Sequence, residues 1–138
     1  ADVFFATPRP DRSVVVVGGE RTPSDALVGP VAVASLEAFH LDAVFMGVHG
    51  VHARAGFTTP NLAEAEANRA FRAATDQLVV LADHTKWGVT GLATIAALDD
   101  CDVFVTDGGL PADARDILEA TVGRLVLAQT RAASGRSA

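Results

Sequence analysis

The chain has 138 residues, 49% of them hydrophobic and 20% charged, which is enough for one domain with one core. Its formal net charge is −6 and its pI about 5.0, with Arg and Lys scattered rather than clustered, so no basic face is available to displace counterions from nucleic-acid phosphates. A mean hydropathy of +0.28 and apolar runs as short as 14–17 and 78–82 exclude a membrane span, and residues 1–6 lack a signal peptide's basic start, so a cytoplasmic protein is expected. The single cysteine, Cys101, excludes an internal disulfide framework and a cysteine zinc site; it reads as a buried, inert thiol.

In chain order, short β-branched runs alternate with longer alanine-rich amphipathic stretches. Residues 1–6 read as the end of a helix whose start is missing. Residues 13–17 are predicted to be a buried strand ending at Gly18-Gly19, 30–39 a helix, and 43–48 a strand that again ends in glycine. A helix is expected over 61–75, with Asn61 as its cap and Glu64 three residues on, as a capping box requires. Then come a strand at 78–82, a helix at 89–98 and a strand at 103–106. Pro111 suits the first turn of a helix over 111–121, where its missing N–H costs least, and 125–127 reads as the last strand. The Ser-, Ala- and Gly-rich residues 131–138 read as a tail or linker, leaving 1–130 as the domain. The alternation predicts an α/β fold of three layers, with a mostly parallel sheet and helices on both faces. In such sheets ligands sit beyond the C-terminal strand ends, and there the glycines fall.

Four segments at those ends could carry chemistry. Asp83-His84-Thr85-Lys86 follows a strand and would point a cation and a hydroxyl into the crevice; the plainer reading is a polar turn capped by Asp83. Gly47-Val48-His49-Gly50 offers backbone N–H groups and an imidazole that could donate to a phosphate or sugar hydroxyl, or is simply a tight turn. His49 and His52 lack a third convergent ligand, so no metal is expected. Gly56-Phe57-Thr58-Thr59 precedes a helix start, where N–H groups favour anions. On that helix Glu66 and Arg69 are one turn apart, as a surface ion pair or as a carboxylate for ligand hydroxyls. Gly18-Gly19 does not make a dinucleotide fingerprint, and no phosphate-loop lysine follows a glycine loop, so no nucleotide cofactor is implied. Asp99, Asp100 and Asp102 read as a solvated turn, Asp107-Gly108-Gly109 as a turn that could also touch a ligand, and Trp87 as core packing or a lid.

Taken in order, these segments resemble the C-terminal effector-sensing domain of DeoR-family transcriptional regulators. The strand ending in Gly-Gly is matched by residues 14–19, and the loop glycine that opens a helix by Gly29-Pro30. A D-x-x-F-x-G-x-x-G strand is matched by Asp42, Phe45, Gly47 and Gly50. Then follow G-x-T and a helical E-x-x-x-[KR], here Gly56, Thr58 and the 64–69 stretch. D-x-[ST]-K is Asp83, Thr85 and Lys86; the closing segment is Asp102, Phe104, Val105, Thr106 and Asp107. The resemblance spans most of 12–128 and implies a fold like that of ribose-5-phosphate isomerase and CoA transferases. It further implies a phosphorylated sugar or polyol as effector, a homo-oligomer, no catalysis and no cofactor. DNA would be bound only through an N-terminal winged helix-turn-helix that this chain lacks. That motif and the family's T-[TN]-N-[ST] phosphate loop would lie upstream of residue 1, making the domain N-terminally incomplete. The expected ligand contacts are Lys86, Asp83, Thr85, Gly47, His49, Gly50, Gly56, Thr58 and Glu66. The isomerase places its proton-transferring acids in the loop that here reads 47–50; Val48 and His49 leave that loop without a carboxylate. An isomerase-like enzyme is the alternative, and a purely structural oligomerisation domain the third reading.

Overall fold

The computed structural model describes residues 11 and 13–128 of the chain; the readings of 1–6 and 131–138 lie outside these residues. Its framework is a four-stranded parallel sheet flanked by helices, the α/β class expected. The strands are β3 (Leu41–Gly47), β6 (Thr75–Leu81), β8 (Val103–Asp107) and β9 (Leu125–Ala128), in the order β3-β6-β8-β9. Two further sheets decorate it. A hairpin pairs β1 (Glu20–Arg21) with β2 (Leu27–Val28), and an antiparallel sheet joins β4 (Gly50–His52), β5 (Gly56–Thr59) and β7 (Ala93–Ala96). The helices are α1 (Pro30–Leu36), α2 (Leu62–Ala73) and α3 (Ala112–Thr121).

The core lies between one face of the parallel sheet, the antiparallel sheet and α3. Strand alternation sends Val44 and Met46, Leu78 and Val80, and Phe104 to the same side, where they meet Phe57, Ile95, Ala114 and Leu118. The Phe57 and Phe104 rings, both fully buried, sit 5.8 Å apart in a tilted pair. On the opposite face Phe45 and Leu81 remain exposed. Cys101 is buried against the core, its Sγ near the Leu78 carbonyl, and burial pushes its thiol pKa up to about 11, as an inert thiol requires.

Two expected elements differ. Residues 13–17 form no strand: Val15 and Val16 are exposed, and the Val17 carbonyl accepts the Ser35 hydroxyl at 2.9 Å instead of a ladder N–H. A β-branched run without a paired neighbour has nothing to turn its propensity into a strand. The expected helix at 89–98 is instead β7 followed by a short 3-10 turn, Leu98–Asp100. Ala93 and Ile95 are buried and Thr94 is exposed, the period of a strand. The β4–β5 hairpin was hidden within what read as ligand-binding loops.

The expected solvated turn at 99–102 does structural work. Asp102 accepts the Leu78 N–H at 2.7 Å and Asp100 accepts the Ala97 N–H at 3.1 Å.

Candidate functional site

A cavity of about 960 Å³ opens across the C-terminal edge of the parallel sheet. The last residues of all four strands line it: Gly47, Leu81, Asp107 and Ala128. The parallel register brings these ends side by side, and each chain must then leave the sheet at one edge, which creates the crevice. Across from them stand the start of α2, with Pro60, Asn61, Glu64 and Asn68, and the hairpin residues Pro23, Ser24 and Ala26.

The first rim is built by the turn after β6 and the end of β8. His84–Lys86 is a short 3-10 turn whose cap is Asp83; the Asp83 carboxylate accepts from the Thr85 backbone N–H at 2.9 Å and from the Thr85 hydroxyl. Asp107 clamps this turn to β8. It accepts from the His84 N–H at 3.0 Å, from the Gly109 N–H at 2.7 Å, and pairs with His84 Nδ1 at 2.8 Å. The Thr85 side chain and then its N–H hold the Asp83 pKa below the usual carboxylate range, with a smaller contribution from the Lys86 charge. The N–H groups of Gly109 and then His84 do the same for Asp107. Lys86 lines the cavity and is not within ion-pair distance of a carboxylate among the described residues. Trp87 follows it, bridged to Val51 and half-buried against the core.

The second rim belongs to α2. Asn61 caps the helix as expected, its Oδ1 accepting from Ala63 N at 2.9 Å and Glu64 N at 3.2 Å. Glu64 does not close the capping box. Its Oε2 accepts the Thr59 hydroxyl at 3.2 Å, and its Oε1 accepts the hydroxyls of Thr22, at 3.1 Å, and Ser24. The carboxylate thereby latches the β1–β2 hairpin onto α2. Sequence reasoning missed Glu64 because the capping-box pattern assigned it another task.

Of the expected ligand contacts, Lys86, Asp83, Gly47 and His49 come together in the cavity wall. Thr85 stands in the same turn with its hydroxyl on Asp83. Gly50, Gly56, Thr58 and Glu66 are not among the lining residues. Packing accounts for three of them. A Cβ on Gly50 would lie 2.2 Å from the Val89 carbonyl oxygen, and Gly56 has φ +70 with the Ala96 carbonyl 2.2 Å from where a Cβ would be. Buried Thr58 donates to the Gly50 carbonyl and accepts the Gly91 N–H at 2.9 Å, tying β5 to the loop before β7. Glu66 is exposed and makes no ion pair with Arg69 among the described residues. The Arg69 guanidinium instead donates to the Thr94 carbonyl at 2.6 and 3.0 Å.

The ligand atoms of Asp83, His84 and Asp107 lie within 4.8 Å of one another, a spacing a metal ion could use. Both oxygens of Asp107 and Oδ1 of Asp83 already accept N–H or hydroxyl donors, so the cluster reads as a clamp, with acceptor capacity left on the remaining lone pairs. The same holds for general-base chemistry. The 47–50 loop has no carboxylate, but the cavity has three, Glu64, Asp83 and Asp107. Each accepts at least two hydrogen bonds, and the two aspartates have lowered pKa values, which makes them weak bases at neutral pH.

Comparison with known proteins matches this architecture to a family. The family described as the DeoR C terminal sensor domain matches residues 4–108. The chain belongs to that family. The HTH-type transcriptional regulator GlpR of Haloferax volcanii is 36% identical over 110 residues, 79% of this chain and 43% of the relative. GolR of Listeria innocua, also an HTH-type transcriptional regulator, is 36% identical over 99 residues, 71% of this chain and 39% of its own length. A putative aga operon transcriptional repressor of Escherichia coli O157:H7 is 31% identical over 101 residues, 72% and 38% of the two chains. This DeoR-type sensor domain thus spans about two-fifths of the curated relatives it matches. Their names are those of regulators and lend no support to the isomerase alternative. No helix among the described residues is long and apolar enough to cross a membrane.

Proposed function

We propose that the chain is the effector-sensing part of a DNA-binding transcriptional repressor, and that a phosphorylated, hydroxyl-rich metabolite binds in the cavity at the strand ends. The observation that carries this is Lys86: a cation that lines the same cavity as Gly47 and His49, with no carboxylate within ion-pair distance among the described residues. An ammonium placed this way is a receptor for an anionic oxygen, worth about 1.5–3 kcal/mol in a partly desolvated site. The surrounding carboxylates narrow the ligand further. Glu64, Asp83 and Asp107 can only accept hydrogen bonds, so the rest of the ligand must supply hydroxyl or amine donors rather than more negative charge. Sugar, polyol and amino-sugar phosphates meet both conditions.

In this reading DNA is bound by a winged helix-turn-helix elsewhere in the full-length protein, the protein is a cytoplasmic homo-oligomer, and effector binding alters how its domains are held. The coupling such control needs is about 1–3 kcal/mol. The test is titration calorimetry of the full-length protein with ribose 5-phosphate, glycerol 3-phosphate and glucosamine 6-phosphate. Lys86→Ala is expected to weaken whichever of them binds by at least about tenfold. Unchanged affinity would remove Lys86 from the site, and the reading with it.

A further inference from the structure

The cavity holds a second polar group with an unmet requirement. Thr106, on β8, is 3% exposed, lines the cavity, and its Oγ1 has no hydrogen-bond partner among the described residues. The other two such atoms, Nε of Arg72 and of Arg115, belong to residues that do not line it. The great majority of buried hydroxyls in folded proteins are paired, because stranding one forfeits its hydration without return. An orphan hydroxyl on a residue that lines a cavity has water or an entering molecule as its available partner.

Its position fits a partner shared with Lys86. β8 lies beside β6, with Val105 opposite Leu81, and the Ala82 N–H donates to the Val105 carbonyl at 3.1 Å. Thr106 is thus one residue past the register at which β6 runs into the turn that bears Lys86. The next residue, Asp107, grips that same turn. A hydroxyl can rotate its proton towards whatever acceptor arrives.

We propose that Thr106 is a ligand-binding residue whose hydroxyl donates to an oxygen of the same anionic group that Lys86 holds. This rests on the proposed function above and deepens it by fixing the ligand's direction. The anionic end lies over the β6 and β8 strand ends, and the hydroxylated remainder extends towards α2, where Glu64 and Asn68 wait.

The test uses the full-length protein and the three phosphorylated probes already named, with T106V, T106S and T106A beside K86A. T106V is expected to lower the affinity of every probe that binds wild type by about tenfold, and T106S to stay within about threefold. Unliganded T106V should melt no lower than wild type, since the hydroxyl it removes has no protein partner to lose. If T106V melts well below wild type, T106A, which removes the hydroxyl without a β-branched replacement, is read in its place. Unchanged affinity in T106V with a loss in K86A overturns this inference alone and leaves water as the partner of Thr106. Unchanged affinity in both variants, or no probe bound by wild type, overturns the proposed function and the inference together.

Discussion

The two rims of the cavity are each organised around carboxylates but bond them to different things. At the β6–β8 rim, Asp83 and Asp107 bond backbone N–H groups of the turn after β6 and of Gly109 after β8, anchored on parallel strands. At the α2 rim, Glu64 bonds only side-chain hydroxyls, two of them from an exposed hairpin with two-residue strands. Backbone donors are fixed by the fold, whereas a side-chain hydroxyl can rotate away and be replaced by the hydroxyl of a ligand. One rim is therefore set before a ligand arrives, and in the proposed reading it receives the ligand's charge. The other is a contact that a ligand can compete for, as an element that responds to binding should be.

The contrast can be broken from below, because both rims stand on the same core. Phe104→Ala removes a ring that is 2% exposed and paired with Phe57, and should cost about 3–5 kcal/mol in chemical denaturation. Both rims should lose amide protection together; loss at one rim only would show that they are not built on one cooperative unit.

A smaller effect, confined to the first rim, is expected of Asp107→Asn. The folded pKa of Asp107 is lowered, so its contribution to stability is complete above the ordinary carboxylate pKa and is lost as pH falls through the lowered value. The variant should melt lower than wild type at pH 7, and the two melting curves should converge only as the pH falls below the ordinary carboxylate range, since the folded carboxylate takes up its proton at its lowered pKa. Curves that stay parallel down to pH 2 would mean the charge of Asp107 contributes nothing to the clamp.

Much of this was legible in the residues, and the failures share a cause. The helix at α2 and its Asn61 cap, the parallel strands β3, β6, β8 and β9, and the Asp83–Lys86 turn all follow from local pattern: periodicity, a cap, a turn residue after an apolar run. β7 does not, because its pairing with β5 is non-local and residues 93–96 are alanine-rich enough to mimic a helix; the β4–β5 hairpin, though local, is hidden by short strands set among glycines. The site divided along the same line. Lys86, Asp83, Gly47 and His49 sit at strand ends, where position in sequence fixes position in space. Glu64 and Thr106 were missed because their significance lies in their surroundings: the hairpin forty residues earlier for Glu64, and for Thr106 the lack of a hydrogen-bond partner among the described residues.

The mildest effect belongs to the second rim. Glu64→Ala should release the hairpin at a cost below about 1.5 kcal/mol in global stability while amide exchange over 20–28 speeds up. Exchange there as slow as in wild type would show that the Val28 contacts, not the latch, hold the hairpin down.

The indole of Trp87 gives this domain an optical property of its own. It is the chain's single tryptophan, it follows Lys86 directly, and it is neither fully buried nor fully wet. Its emission therefore comes from one place only, the residue after Lys86, and shifts in wavelength or quenching report solvent reaching that indole with no label attached.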